Sequence, residues 1–303
     1  MLLTMQQQED LVKQGLATKK INEKLSLVTY KYAKRVMYDY LWAKHPELME
    51  CRGHTYCMKT GELVLCPPQK SFNYDEAGNL PSPAWAAKPL DTRVIVARKW
   101  NGFMASARVW NGELVVGTTG TTNEETSKYV GWARQEILKL HELHYPCEDL
   151  TSTYEIIHSE DPHIVDDGNQ RAVNLLGREP NGKIWPVELY KATLGEILEE
   201  AKTARHEGWM VYGYKEYVNA TPVPLTCKIK TDYYVGKKKL MRMSPKNVKI
   251  MFNMNFFGAL GLPESWHLLA KAVVNTQQEE TWVAMTDQQR RAIIEVLEPE
   301  FYN

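Results

Sequence analysis

Asn111-Gly112 constrains this chain more than any other pair of neighbours in it. The dipeptide follows the alternating run Phe103 to Trp110 and precedes Glu113 to Val116. Both central residues of a type I′ turn need φ > 0, which Asn and Gly tolerate, so an antiparallel hairpin is expected in mid-chain. Val94-Ile95-Val96 ahead of it, and Thr153 to Ile157, Trp209 to Tyr212 and Pro224 to Lys230 behind it, read as further strands. Helices are expected where capping boxes open apolar runs of helical spacing. Thr122 with Glu125 leads Val130, Ala133, Ile137 and Leu140. Thr193 with Glu196 leads Leu194, Ile197, Leu198 and Ala201, and Thr286 with Gln289 opens a last helix. The first 50 residues read as helical, the prolines from Pro67 to Pro89 mark loops, and the chain is helical again after Lys246. Antiparallel strands between helical ends predict an α+β fold. A large domain is expected over 1–240 and a small helical one over 241–303.

Lys+Arg and Asp+Glu both number 37, and 44% of residues are hydrophobic. That excludes disorder as the main description and argues against non-specific coating of nucleic acid, though not against a local basic groove. The most apolar stretch, Val248 to Val274, is broken by Asn253, Asn255, Glu264, His267 and Lys271, so no membrane span is expected. The N-terminus lacks a basic-then-apolar leader, and five cysteines without CxxC suggest a reduced, cytoplasmic protein. Neither a P-loop nor GxGxxG, HExxH or GxSxG occurs. His141, His144 and Cys147 lack a fourth zinc ligand at matching spacing.

Five segments carry candidate chemistry. Lys99-Trp100-Asn101-Gly102 ends a strand: either a nucleophilic lysine with a glycine that admits close approach, or a surface turn. Glu155 interrupts an apolar strand, so it lies on a solvated face or inside a site. Glu207-Gly208 precedes a strand, as a carboxylate at a site or as a helix-ending loop. Lys228 and Lys230 share one strand face, which favours a bound anion or else marks an exposed edge strand. Arg52-Gly53 and Lys70 lie upstream in what could be ordinary loops.

In chain order these are R-G, KxxG, a strand Glu, E-G and KxK. The set resembles the covalent nucleotidyltransferase superfamily of polynucleotide ligases and capping enzymes. It is most similar to the ATP-dependent RNA ligases of phage type, the RNA ligase 1 group. ECRGHTY (50–56), PPQKSFN (67–73), KWNGFMASARVWNGELVVGTTG (99–120), TYEIIH (153–158), EGWMV (207–211) and CKIKTDYY (227–234) carry the resemblance over about two-thirds of the chain. It implies antiparallel sheets around a nucleotide cleft, with a small helical C-terminal domain. It implies ATP and Mg²⁺ (or Mn²⁺) as cofactors, and RNA with 5′-phosphate and 3′-OH ends as partner. Lys99 would form a lysyl-AMP phosphoramidate. Glu155 would hold the ribose or assist the metal, and Glu207 would support the metal. Lys228 and Lys230 would hold the α-phosphate. Arg52 and Lys70 would hold outer phosphates or the RNA end, Gly102 would belong to the nucleotide site, and Tyr234 would stack on adenine. A monomer acting in RNA repair, in the host cytoplasm if phage-encoded, completes the expectation.

Two positions depart from the family pattern. Asn101 stands where an Asp is usual, and Gly117 to Gly120 lacks a basic residue. The run Lys237, Lys238, Lys239, Arg242, Lys246, Lys249 either tracks an RNA backbone or forms a solvated charged hairpin. Tyr212, Tyr214 and Tyr217 either stack on bases or pack within strands. The rival functions are a DNA ligase or capping guanylyltransferase of the same superfamily, or an RNA-binding relative without catalysis.

Overall fold

The computed structural model describes residues 2–76, 85–140, 148–215, 225–254 and 256–301. The chain forms two compact units: Met1–Glu196 with Trp209–Ile229, and Ile197–Gly208 with Lys230–Asn303. The expected division at 240/241 falls inside the helix Asp232–Met241.

The first 50 residues are not mainly helical, which corrects the sequence expectation. Helix α1 (Met5–Lys13) is short and opens on a capping box, Thr4 with Gln7. Strands β1 (Ala17–Asn22) and β2 (Leu27–Tyr32) follow, and after the short helix α2 (Lys34–Tyr38) come β3 (Arg52–Cys57) and β4 (Leu63–Leu65). They pair in the order β1-β2-β3-β4. Leu27, Val28, Thr29 and Tyr30 are consecutively buried, which a strand covered on both faces satisfies and a surface helix does not. Tyr30 meets the ring of Tyr56 edge-on at 5.8 Å. Lys19 and Lys20 stand on β1 at the sheet edge, where lysines blunt an edge strand.

Two five-stranded sheets complete the first unit. One runs β11 (Ile184–Pro186), β10 (Arg171–Arg178), β9 (Thr151–Ile157), β7 (Phe103–Trp110), β8 (Glu113–Thr118). The other runs β12 (Tyr190–Thr193), β6 (Arg93–Lys99), β13 (Gly208–Gly213), β14 (Thr226–Lys230), β5 (Phe72–Asn73). The hairpin forms as expected, with Asn111 at φ 52° and Gly112 at φ 77°. Helix α3 (Lys128–Leu140) buries Val130, Ala133 and Ile137, the last two packing with residues of β7, β8, β9 and β10, but Leu140 is exposed. It starts five residues later than a cap at Thr122 would place it. Asn123 Oδ1 instead accepts from Glu125 N at 2.8 Å, and the Thr122 carbonyl accepts from Asn22 a hundred residues earlier, so one local and one long-range side-chain bond outcompete the helix start. The Thr193–Glu196 box forms and opens α4 (Leu194–Glu200).

The second unit is helical: α5 (Asp232–Met241), α6 (Pro245–Met254), α7 (His267–Thr276), α8 (Glu279–Ala284) and α9 (Asp287–Phe301). The Thr286–Gln289 box opens α9. The basic run is not a solvated hairpin: Lys237 lies in α5 at 2% exposure, held by Glu295 and Glu298, both at 3.1 Å. Buried Arg290 donates to the carbonyls of Trp282, Val283, Met241 and Met243, binding three segments together.

Candidate active site

Strand β6 ends at Lys99, whose Nζ lies 3.4 Å from the Trp100 carbonyl. Asn101 and Gly102, which follow it, are pinned from two other segments. Asn101 N–H donates to Asp167 Oδ2 at 2.7 Å, and Asn101 Nδ2 donates to the Val165 carbonyl at 2.8 Å. Gly102 N–H donates to Glu155 Oε1 at 3.0 Å. Asp167 Oδ1 accepts from Arg98 at 2.8 Å, and the Arg98 guanidinium lies 4.0 Å over the Trp100 ring. The loop after Lys99 is thus fixed through the Asn101 and Gly102 backbone N–H groups and the Asn101 side chain.

Gly102 is required by space. A Cβ there would overlap the Ile156 carbonyl, with its carbon at 2.8 Å. Only glycine lets β7 begin this close to β9. Glu155, from a strand that is buried throughout, therefore holds the loop beside Lys99.

Arg52 reaches the same place from β3. The pairing of β2 with β3 shifts register between Tyr30 and Lys31, leaving Gly53 as the extra residue at φ +94° and Lys31 opposite Arg52. Arg52 Nη1 lies 3.1 Å from Met104 Sδ. Burial holds the Arg52 pKa below its ordinary value, while Tyr32 and Glu155 oppose the shift. Lys70 sits over the Phe72 ring at 4.6 Å and Trp42 at 5.7 Å, and burial lowers its pKa too.

These groups surround a cavity of about 260 Å³ lined entirely by the first unit. That is near the lower end of the roughly 300–1,000 Å³ of small-molecule pockets. Arg52, Lys99, Gly102, Glu155 and Lys228 line it together; Lys70 does not, although its neighbours Gln69 and Ser71 do. Apolar walls come from Met104, Leu175, Leu176, Ile184, Val187 and Met210. Tyr212 is both buried in its strand and part of the lining, so packing and access to a ligand are not alternatives here. Tyr214 stands beside Arg93 and Lys191 instead.

Glu207, Lys230 and Tyr234 belong to the second unit. Glu207 is buried, and its carbonyl accepts from Thr231 N at 3.2 Å. Lys228 and Lys230 lie on the partly exposed side of β14, with Ile229 buried between them. Tyr234 lies in the first turn of α5, where its N–H donates to Thr231 Oγ1; Lys230 and Lys238 stand 5.0 and 5.7 Å from its ring. His141, His144, Cys147 and Tyr217 lie outside the described residues.

Among the described residues, no group of three or more His, Cys, Asp or Glu side chains could hold a metal. Glu155 still offers hard carboxylate oxygen, and Mg²⁺ is commonly held by one or two carboxylates with substrate phosphates supplying the rest. That donor chemistry is compatible with Mg²⁺ carried on substrate phosphates.

Sequence reading missed Asp167 and the tie made by Asn101. The only local signal was the acidic turn Asp166-Asp167-Gly168, which says nothing of Lys99, 68 residues earlier.

No family model matches this chain, and no curated protein does. Solved structures share its fold. Two structures of an archaeal ATP-dependent RNA ligase, forms 1 and 2, match with TM-scores of 0.51 and 0.50. Both are 15% identical and cover 97% of this chain and 77% of the other. A putative ATP-dependent DNA ligase from Aquifex aeolicus, 12% identical over 95% of this chain and 75% of its own, gives 0.42. The fold is the α+β nucleotidyltransferase fold of those archaeal ligases, with a helical C-terminal part. No helix among the described residues is long and apolar enough to cross a membrane.

Proposed function

We propose that this chain is an ATP-dependent RNA ligase that works through a covalent lysyl-AMP. The observation that carries the reading is one cavity in which Lys99 meets Arg52, Glu155 and Lys228, with the loop after Lys99 fixed at Asn101 and Gly102. The shared fold with RNA ligases of archaea and the motif order point the same way.

The Lys99 amine, once neutral, attacks the ATP α-phosphorus. An N–P bond forms, the bond to pyrophosphate breaks, and the lysine proton passes to solvent. Only about 1 in 2,500 free lysines is neutral at pH 7, so a nucleophilic lysine needs cations or desolvation around it. Arg52 and Lys228 offset charge on the phosphoryl oxygens, and Glu155 holds the loop and faces the ribose. Lys230, Glu207, Lys70 and Tyr234 are proposed to join the nucleotide site with the roles the motifs imply. Mg²⁺ on the ATP phosphates would neutralise further charge. AMP then passes to an RNA 5′-phosphate, and a 3′-OH attacks that phosphate and releases AMP.

The test is label transfer from α-labelled ATP or GTP with Mg²⁺. Label from ATP in an acid-sensitive, base-stable bond, absent in Lys99→Ala, is expected. Label from GTP alone would move the chain to capping chemistry. No label in folded protein would refute the reading, and ligation of nicked duplex DNA in preference to RNA would replace its substrate.

A further inference from the structure

One face of the N-terminal sheet carries charge that the reaction at Lys99 does not use. Residues directly opposite in an antiparallel pair project to the same face, as do residues i and i+2 on one strand. Thr18 is opposite Lys31, Lys31 is opposite Arg52, and Lys20 is two residues along β1 from Thr18. Lys20, Lys31 and Arg52 therefore share a face, one cation on each of three successive strands. Without the Gly53 bulge, Arg52 would stand opposite Tyr32 and this row would be broken. Towards its other end the face is closed: Leu27 and Cys57 pack on Val115, and Asn22 donates to the Thr122 carbonyl at 3.1 Å. The open end leads through Arg52 to the cavity.

Like charges set directly across a sheet are unfavourable unless an anion lies among them. Lys31 is half-buried, and burial lowers its pKa; the charges acting on it are those of Arg52, Lys20 and Lys34, all cations. Lys19, on the opposite face, is paired with Glu9 at 2.8 Å. Among the described residues, neither Lys20 nor Lys31 has an ion-pair partner.

We propose that this face binds the phosphodiester backbone of the RNA strand whose end enters the cavity, with Lys31 and Lys20 taking successive phosphates outward from Arg52. The row runs roughly 10 Å from β3 to the sheet edge, at about 4.8 Å per strand. A polynucleotide continues in that direction, whereas the phosphates of a nucleotide anchored at Lys99 end near Arg52.

The proposal rests on the RNA-ligase reading for its choice of polymer, and its test fails separately. Binding of a short 5′-phosphorylated single-stranded RNA is measured over a salt series for the wild type, Lys20→Ala, Lys31→Ala and the double variant. Self-labelling by ATP is measured alongside, with circular dichroism to check folding. Each substitution is expected to reduce the log–log salt slope by about 0.7, hence affinity about fivefold at 0.1 M salt, with an unchanged KM for ATP. Unchanged RNA affinity and slope in the double variant would overturn the proposal, as would a wild type that binds no RNA. A raised KM for ATP with unchanged RNA affinity would assign the face to the triphosphate and overturn it too. RNA binding that responds as expected in a wild type that takes no label would leave this surface standing and remove only the ligase reading.

Discussion

Gly102→Ala separates a site built by backbone proximity from one built by side chains alone. The added Cβ would overlap the Ile156 carbonyl and lie 3.2 Å from Glu155 Cγ. The first obstacle is backbone inside a sheet, so it cannot swing aside as a flexible side chain would. Relief requires the start of β7 to move away from β9 by on the order of 1 Å, since an ordinary carbon contact needs about 3.5 Å. Overpacking of this kind costs about 1–3 kcal/mol. The same movement lengthens the Gly102 N–H bond to Glu155, now 3.0 Å, and shifts the loop that aims Lys99. A misplacement of about 1 Å lowers rate by about 100-fold. Urea denaturation should give the stability loss, and single-turnover label transfer from ATP the rate. Gly120→Ala is the control: nothing lies within 4 Å of its Cβ, and its φ is not in the left-handed region. A change there should stay within about 0.5 kcal/mol. If Gly102→Ala labels as fast as wild type and melts with it, the close approach of β7 to β9 does not position the lysine.

Asp167→Ala removes the acceptor of both Asn101 N–H and Arg98, so single-turnover labelling should fall at least tenfold with about 2–3 kcal/mol of stability. Labelling at the wild-type rate would show that the tie is dispensable. His54 is fully buried, and desolvation pushes its pKa down from 6.5 to about 4. Between these values the unfolded chain binds a proton that the folded chain does not, so stability should drop by about 3 kcal/mol as pH falls from 6.5 to 4, and this contribution should level off below. Denaturant titrations across that range check the slope, which should flatten in His54→Gln. Arg290→Met strands carbonyls of two segments and should cost about 3 kcal/mol, read as a lowered urea midpoint; a shift under 0.5 kcal/mol would show that water replaces the guanidinium.

Much of the middle of the chain was legible because its signals are local. Asn111-Gly112 fixes a hairpin with two residues, and the boxes at Thr193 and Thr286 each close within four. The failures are long-range. The strands of the N-terminal sheet gain their partners from residues up to 30 positions away, and charge along 17–32 hides that pairing. Lys237 looked like one of a solvated run because Glu295 and Glu298 lie 58 and 61 residues on. In the candidate site, Lys99, Glu155, Lys228 and Arg52 were named from motif order, and the cavity brings them together. The apolar wall was not legible, since Leu175, Ile184 and Met210 look like any strand residues. Nor was the bulge at Gly53, because a φ of +94° leaves no trace beyond the presence of a glycine.

The departure at residue 101 has its physical account in the same loop. Asn101 is 3% exposed, and its Nδ2 must donate to the Val165 carbonyl. A carboxylate cannot donate, so Asn101→Asp would set a charged oxygen against a carbonyl oxygen, close to the Asp167 carboxylate that already holds the Asn101 backbone. The new acid would keep the bond only when protonated, so its folded pKa would rise above the unfolded value near 3.9. Stability would then be highest in acid and fall as pH rises from about 4 through the raised pKa, reaching a deficit of about 1–3 kcal/mol at neutral pH. Labelling by ATP should fall with it, because the same bond aims Lys99. An Asn101→Asp protein as stable as wild type at pH 8, labelling as fast or faster, would show that the residue serves the nucleotide directly rather than the loop. In this chain two acids support the lysine's loop, Asp167 at Asn101 N–H and Glu155 at Gly102 N–H, and an amide at 101 adds no third carboxylate beside them.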